Sequence, residues 1–200
     1  MATMVHLRFL FLCFIMAVFL VGQGIAQETE QMNPEMMEAY MKMMAVTENH
    51  SYLENFVGGW EVKTTGWMQP GAEPFVEQGK AKGELILGGR FLKMDFKGTM
   101  FGQPFEGLQI VGYDNLQQKY VTFWIDSSST AFYLTKGIRD KEKNIITDEG
   151  LWPDPMTGEN IGVRMTTTLI SQDEFVFEMY MLLPSGDEFK SVENRMIRKK

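Results

Sequence analysis

Apolar and polar residues alternate along most of the chain from residue 60 onward. In the clearest stretch, Leu92, Met94 and Phe96 alternate with three charged residues. A repeat of two is typical of β-strands that bury one face and expose the other, which is common in antiparallel sheets and rare in parallel ones. The pattern therefore predicts an antiparallel meander.

About ten such segments follow one another, separated by short connections with turn residues such as Gly88 and Gly89. No connection is long enough for the helix that joins parallel strands. The sequence therefore predicts an all-β fold, an antiparallel up-and-down barrel of about ten strands. We predict strands at residues 60–68, 75–87, 90–98, 104–113, 118–126, 130–138, 143–151, 162–171, 174–183 and 187–198.

A helix is predicted before the barrel, because Asn33 and Pro34 are typical of a helix start. Its polar residues share one face and its methionines share the other, as in an amphipathic helix. Methionine sulfur is a ligand for Cu(I), but packing against the barrel or a partner explains the stripe more simply. We expect a polar linker and this Met-rich helix over residues 27–49, and a barrel domain over residues 50–200.

Residues 1–26 have the pattern of a secretory signal peptide. A short polar start precedes an apolar run from Phe9 to Val21, and the small residues Gly24 and Ala26 follow. The apolar run is too short for a comfortable membrane span. We therefore expect cleavage, no stable membrane span afterwards, and a secreted or periplasmic location.

The composition excludes several classes of partner and chemistry. The chain has a formal net charge of −7, and its basic residues cluster only at the C-terminus, which argues against nucleic-acid binding. The single cysteine, Cys13, lies in the predicted signal peptide, so the mature chain has no disulfide. A chain of this length can still bury enough apolar surface to fold. No pattern in the sequence predicts an oligomeric state.

His50 is the only histidine after the predicted signal peptide. A serine, histidine and aspartate triad has no Gly-x-Ser-x-Gly turn to present its serine, and multi-imidazole metal sites are excluded by count. Glycine-rich phosphate-binding motifs are also missing. We therefore expect no metal, no cofactor and no assigned catalytic residue, and a binding protein rather than an enzyme.

Several short strings carry a resemblance to a known family. They are His50-Ser51-Tyr52-Leu53, Gly58-Gly59-Trp60, Leu87-Gly88-Gly89-Arg90-Phe91-Leu92, Gly112-Tyr113-Asp114-Asn115 and Trp124-Ile125-Asp126-Ser127. Together they resemble the bacterial family catalogued as domain of unknown function 1579, and the Gly-x-Trp string resembles the opening of lipocalin-like (calycin) barrels. The resemblance runs from His50 to Arg198. It implies a lipocalin-like β-barrel and brings no established reaction. Met196 departs from the pattern, because an aromatic residue is expected there.

Large aromatic and charged residues are the candidates for contacting a small ligand in such a barrel. They are Trp60, Arg90, Tyr113, Trp124, Asp126 and Glu178. Arginine can hold a ligand carboxylate with two parallel hydrogen bonds. The alternative for Arg90 is that it pairs with an acidic neighbour or covers a barrel end, because buried charges are normally paired.

The sequence does not determine which face of the strand at residues 118–126 points into the barrel. Adjacent residues point to opposite sides, and each side carries a large aromatic residue. If Thr122, Trp124 and Asp126 face inward, the barrel has a polar and aromatic pocket. If Val121, Phe123 and Ile125 face inward instead, it has an apolar core. A barrel of eight to ten strands holds one small ligand or none.

The preferred hypothesis is a secreted lipocalin-like protein that binds a small apolar or amphipathic ligand inside the barrel. The first alternative is a carboxylate-based isomerase or hydrolase, which needs two of four acidic residues to converge in one pocket. Those four are Asp95, Glu106, Asp126 and Glu178. The second alternative is a protein-interaction module that uses the Met-rich helix.

Overall fold

The protein is described by a computed structural model, which covers residues 33–154 and 157–200. Contacts divide the chain into two units after residue 37, and the barrel belongs to the second, residues 38–200. The predicted signal peptide, and the polar linker as far as residue 32, lie outside the described residues. The cleavage and the domain bounds therefore stay predictions.

The predicted Met-rich helix is confirmed as α1 (Pro34–Met44). The side-chain oxygen of Asn33 accepts a hydrogen bond of 2.9 Å from the backbone N–H of Glu35, which satisfies one of the free amides of the first turn. The helix has no buried residue, and its methionines are exposed.

Ten antiparallel strands form a closed barrel in which each strand pairs with the next and the last pairs with the first. The predicted barrel is thus confirmed, and the predicted strand ends differ by a few residues. The strands are β1 (Gly58–Gly66), β2 (Phe75–Ile86), β3 (Phe91–Met100), β4 (Gln103–Asp114), β5 (Lys119–Asp126), β6 (Tyr133–Asp140), β7 (Ile145–Pro153), β8 (Asn160–Ser171), β9 (Glu174–Leu182) and β10 (Glu188–Arg198).

The pairing of β1 with β10 closes the barrel, with Trp60 opposite Arg198 and Val62 opposite Met196. Closure leaves no strand edge unpaired. Met196 is only 2% exposed, so a thioether fills the position at which the family resemblance implies an aromatic ring. Methionine suits such a site because its flexible side chain adapts to irregular gaps.

One end of the barrel is closed by a plug, defined here as residues 48–56, which comprises α2 (Glu48–Ser51) and a 3-10 helix (Tyr52–Phe56). Leu53 and Phe56 are buried and belong to the same apolar core as Trp60. The indole N–H of Trp60 donates a 3.0 Å hydrogen bond to the carbonyl oxygen of Phe56. These contacts make this the closed end.

Arg198 fastens the plug to the end of β10. Its guanidinium donates to the carbonyl oxygens of Asn55 at 2.9 Å and Val57 at 2.6 Å. It also lies over the Trp60 ring, with 4.1 Å between the guanidinium carbon and the ring centroid. The opposite end, which we call the mouth, is formed by the loops that follow β1, β3, β5, β7 and β9.

Candidate functional site

The interior of the barrel contains a cavity of about 350 Å³. Leu53 and Phe56 of the plug form its floor, and Trp124, Asp126 and Ser128 line it near the mouth. The volume lies within the range of small-molecule pockets, which is about 300–1,000 Å³. The barrel is therefore hollow above the plug.

The inward face of β5 is the polar and aromatic one. Thr122, Trp124 and Asp126 line the cavity, whereas Val121 and Phe123 do not. The indole of Trp124 fits inside because the neighbouring position on β4, Gly107, has no side chain. A Cβ atom at Gly107 would overlap the Trp124 ring.

The Trp124 and Asp126 side chains bond to one another at the mouth. The indole N–H of Trp124 donates a 2.7 Å hydrogen bond to Oδ2 of Asp126. The other carboxylate oxygen accepts hydrogen bonds from the Ser128 backbone N–H at 2.9 Å and from the Ser128 hydroxyl at 2.6 Å. Both oxygens of Asp126 thus have partners in the protein.

Deeper in the barrel, four polar side chains on consecutive strands form a polar stripe along one wall of the cavity. The polar stripe consists of Thr122 on β5, Thr135 on β6, Asp148 on β7 and Thr167 on β8. Thr122 and Thr135 are direct partners across their strands. Strands β1 and β3 contribute apolar residues to the cavity, among them Val62, Leu92, Met94 and Phe96. The cavity therefore has both a polar and an apolar wall.

Asp148 is the most unusual member of the polar stripe. It is 5% exposed, it lies opposite Gly137 across β6 and β7, and its Oδ1 atom has no hydrogen-bond partner among the described residues. Burial raises the pKa of Asp148 to about 7, because the charged carboxylate is poorly solvated there. A buried carboxyl group without a partner is costly and is typical of functional sites.

Arg139 lies on β6 two residues beyond Gly137, the partner of Asp148, and its side chain is directed at the plug. The Arg139 guanidinium carbon lies 3.4 Å from the centroid of the Tyr52 ring, and the side chain donates to Asn144 at 3.3 Å. On β5, the hydroxyl group of Tyr120 donates a hydrogen bond to the backbone carbonyl oxygen of Asn49 in the plug. Burial raises the pKa of Tyr120 to about 12. No described residue forms an ion pair with Asp148.

Other polar atoms that line the cavity are also unpaired within the described part of the chain. They are Thr135 Oγ1, Trp152 Nε1 and Asn194 Oδ1. Buried polar atoms in proteins nearly always have a partner, either in the protein or in a bound molecule. These three atoms have almost no accessible surface, so a molecule in the cavity would pair with them only after their side chains rotate.

The family model described as a protein of unknown function (DUF1579) matches residues 45–198. This chain belongs to the DUF1579 family. The matched region contains the plug and all ten strands. No curated protein matches the sequence.

Among solved structures, this DUF1579 protein is similar to the crystal structure of Rv2717c from M. tuberculosis. The TM-score is 0.57 at 14% identity, and the match covers 78% of this chain and 100% of that chain. A redesigned beta barrel, mFAP1, bound to DFHBI, matches with a TM-score of 0.39 at 14% identity, over 74% of this chain and 98% of that chain. At 14% identity, the likeness to Rv2717c shows the fold alone.

Two of the six ligand-contact candidates from the sequence, Trp124 and Asp126, line the cavity of this DUF1579 protein. Trp60 lies below the floor, packed edge to face against Phe175 with the ring centroids 4.7 Å apart. Tyr113 lies near the plug, where its ring contacts the rings of His50 and Tyr120. The structure therefore places both aromatic residues at the closed end, outside the cavity lining.

Arg90 lies in the loop between β2 and β3 at the closed end. Its guanidinium donates to two backbone carbonyl oxygens, those of Met44 at 2.8 Å and Leu87 at 3.4 Å. It contacts neither the cavity nor an acidic neighbour, and its position agrees with the other alternative, that it covers a barrel end. The carbonyl of Met44 belongs to the last turn of α1, where carbonyl groups lack helical partners.

Glu178 is on the outer face of β9, because the cavity-lining residues of that strand are its odd-numbered neighbours. It accepts hydrogen bonds from Lys190 at 3.0 Å and from Tyr180 at 3.1 Å. Partial burial opposes its ionisation, but these hydrogen bonds outweigh that effect and lower the pKa of Glu178. Asp95 and Glu106 also face outward and pair with lysines.

Of the four carboxylates considered for catalysis, only Asp126 therefore lines the cavity. Sequence reasoning missed two acidic residues that line the cavity, Glu77 on β2 and Asp148 on β7, and Asp148 is the buried one. Alternation along β7 places it on the same face as Ile146 and Trp152, and this signal was available in the sequence.

Two classes of site receive no support in the described residues. Between residues 33–154 and 157–200, no three His, Cys, Asp or Glu side chains are grouped so that they could hold a metal ion. In the same ranges, no helix has the length and apolar character that a membrane crossing requires.

Proposed function

We propose that this protein binds a small, mostly apolar molecule that carries a few polar groups, inside the barrel. The observation that carries the proposal is the cavity of about 350 Å³ with one apolar and one polar wall. Ligand pockets are usually concave and apolar, with a small number of polar groups that fix the orientation of the ligand. The polar stripe and the mouth residues supply such groups.

The apolar wall provides the main driving force in this proposal. Burial of apolar ligand surface contributes about 25 cal/mol per Å² removed from water. The side chains of Val62, Met94 and Phe96 face the cavity, and Met94 is only 2% exposed. A ligand with a hydrophobic body would therefore bind along β1 and β3.

We also propose that the protein acts outside the cytoplasm. The support for this location is the pattern of residues 1–26, in which an apolar run is followed by small residues. Expression of the whole chain in a bacterium, followed by cell fractionation and N-terminal sequencing, tests it. A mature chain that begins near Gln27 in the exported fraction is expected, and an unprocessed chain in the cytoplasm would contradict export.

Ligand binding is tested with the purified protein, by native mass spectrometry for a co-purifying molecule and by titration with a fluorescent fatty-acid probe and with its uncharged alcohol analogue. Two variants of neighbouring positions on β4 make a matched pair. Val111 lines the cavity, whereas Ile110 is its neighbour on the opposite face of the strand. We expect Val111→Trp to fill the cavity and weaken probe binding at least about tenfold, which corresponds to about 1.4 kcal/mol.

Ile110→Trp should leave probe binding within about twofold of the wild type, because the added ring points away from the cavity. Circular dichroism checks that both variants keep the barrel. No bound molecule and no probe binding by the wild type would reject the proposal. Equal loss of binding in both variants would show that the probe does not occupy the lumen.

A second candidate function is acid or base catalysis in the same cavity, and Asp148 is the observation that favours it. A carboxyl group with a pKa of about 7 can both give and accept a proton near neutral pH. The test incubates the co-purified ligand with the wild type and with Asp148→Asn and follows conversion by mass spectrometry. Conversion by the wild type that is lost in Asp148→Asn would support a catalytic function. A ligand that stays unchanged would reject catalysis and leave ligand binding as the function.

A further inference from the structure

We propose that the cavity selects molecules that carry a protonated amine, and that the Asp148 carboxylate is the group that pairs with it. This inference rests on the proposed function, since it names the class of ligand that the lumen takes. It concerns a residue on the wall of the cavity, well below the hydrogen-bonded Trp124 and Asp126 pair at the mouth.

The first step is the missing partner of Asp148. A carboxylate removed from water is retained in a folded protein when a cation or several hydrogen bonds compensate for the lost solvation. Here the described residues provide neither to Oδ1, and Arg139 is directed at Tyr52 instead. A ligand cation that reaches the cavity would supply the missing interaction.

The second step is space. Gly137 lies opposite Asp148, and Gly150 is the next inward position along β7. Asp148 Oδ1 occupies the space that a side chain at Gly137 would need, and the methyl group of Thr135 occupies the space at Gly150. Asp148 itself is among the residues that line the cavity. A ligand group can therefore approach it from inside the barrel.

The third step is the number of hydrogen bonds that the site can accept. An ammonium group has three donors. Asp148 Oδ1 and the Thr135 hydroxyl oxygen, on the neighbouring strand, are both unpaired in the described part of the chain. Thr122 lies directly opposite Thr135 across β5 and β6. Both unpaired oxygens are covered, so the polar stripe would accept the hydrogen bonds of an ammonium group once the side chains of Asp148 and Thr135 rotate toward the cavity that they line.

Two buried side-chain N–H donors have no partner in the described part of the chain, Arg139 Nε and the indole N–H of Trp152. Trp152 lines the cavity and suggests the other end of the ligand. Trp152 is four residues beyond Asp148 on the same face of β7, which corresponds to about 13 Å along the strand. A hydroxyl or carbonyl oxygen near the mouth would accept its hydrogen bond. A ligand with its amine deep in the cavity and a hydrogen-bond acceptor near the mouth would be an amphipathic amine.

Electrostatics favour an amine over a carboxylic acid. The formal net charge of the chain is −7, so cationic ligands are attracted and anionic ones repelled. An ammonium group beside Asp148 would also favour the ionised carboxylate, although burial alone raises its pKa to about 7. A neutral ligand would instead meet a carboxyl group that is partly protonated.

The experiment compares three probes that share a naphthalene body and differ in their polar group. They are naphthylmethylamine, naphthylmethanol and naphthoate, titrated near neutral pH and followed by calorimetry. The variant is Asp148→Asn, which keeps the shape of the side chain and removes its charge. The control is Asp95→Asn, which removes the same charge from the outer face of β3, where Asp95 pairs with Lys93.

We expect the wild type to bind the amine about tenfold or more tightly than the alcohol, and the carboxylate most weakly. A charge-assisted hydrogen bond in a buried site is strong enough for such a difference. Asp148→Asn should bind the amine and the alcohol with similar affinity, and Asp95→Asn should keep the preference for the amine. This pattern would establish Asp148 as the amine site.

Two results would overturn the inference while leaving the proposed function intact. One is a wild-type protein that binds the alcohol at least as tightly as the amine. The other is a preference for the amine that survives in Asp148→Asn. Binding of none of the three probes, together with no binding of the fatty-acid probe or its alcohol analogue, would reject the proposed function itself. The comparison of probes on the wild type needs no variant, so the inference stays testable if Asp148→Asn does not fold.

Discussion

The Oδ1 atom of Asp148 lies 2.5 Å from the point that a Cβ atom would occupy at Gly137, its partner across β6 and β7. The carboxyl group thus uses space that a side chain at residue 137 would need. The backbone carbonyl oxygen of Thr147 also lies within contact distance of that point. The position of the buried carboxylate is therefore tied to a glycine on the neighbouring strand.

Gly137→Ala should destabilise the barrel by about 1–3 kcal/mol, because the added methyl group would overlap the backbone of β7 and displace Asp148. Urea denaturation measures the change in the free energy of unfolding. Gly59→Ala is the matched control on β1, since its Cβ atom would lie 3.6 Å from the nearest atom, in Lys199. The control should change stability by less than about 0.5 kcal/mol. Equal effects of the two substitutions would contradict the crowding at Gly137.

The stability difference between the wild type and Asp148→Asn should depend on pH. The folded-state pKa of Asp148 is about 7, above the ordinary value of 3.8, so the folded state binds more protons than the unfolded state between these values. The wild type therefore loses stability as the pH rises through this window, on the order of 4 kcal/mol in total if Asp148 acts alone.

Urea denaturation of both proteins at about pH 5 and about pH 8 checks this, because the comparison between proteins cancels the other titrating groups. The gain in stability from Asp148→Asn should be larger at the higher pH. A gain that is the same at both pH values would show that Asp148 does not titrate in this window.

Arg198→Lys should loosen the plug. A lysine cannot make the separate hydrogen bonds that the guanidinium makes to Asn55 and Val57, and it stacks less well on the Trp60 ring. We expect a loss of about 2 kcal/mol in the free energy of unfolding. Arg195→Lys, on the outer face of the same strand, should cost less than about 1 kcal/mol, because its ion pair with Glu174 is largely solvated. A smaller loss at Arg198 than at Arg195 would refute the role of Arg198.

Arg90 and Asn115 should hold the last turn of α1 against the closed end. Asn115 donates to the carbonyl oxygens of Lys42 at 2.9 Å and Ala45 at 2.7 Å, and Arg90 donates to that of Met44. In Arg90→Ala combined with Asn115→Ala, amide hydrogen exchange over residues 38–46 should rise several-fold, since each lost bond contributes about 1 kcal/mol.

Exchange in the strands should stay unchanged in that double variant, because the lost bonds lie outside the sheet. Gln117→Ala is the control, since the Gln117 side chain donates to Asp114 in its own turn and accepts from Lys136 on β6. Protection of residues 38–46 that survives the double substitution would mean that other contacts fix this segment.

The fold followed from local information in the sequence. Alternation such as that of Leu92, Met94 and Phe96 sets the strands, and short turns such as Gly88 and Gly89 join neighbours in an antiparallel order. Asn33 and Pro34 likewise determined where α1 begins. Each of these signals acts between residues that are close in the chain, and so a single sequence is enough to recognise them.

The site depended on contacts between residues that are distant in the chain. Both faces of β5 carry large side chains, and the inward position of Trp124 depends on the space left by Gly107 across the sheet. Alternation alone places Asp148 inside, but only the closed barrel shows that it is buried without a partner among the described residues. Burial and pairing are properties of the assembled sheet. The sequence by itself therefore determined the strands and their order, whereas the tertiary structure decided which charges are paired outside and which carboxylate is buried without a partner among the described residues.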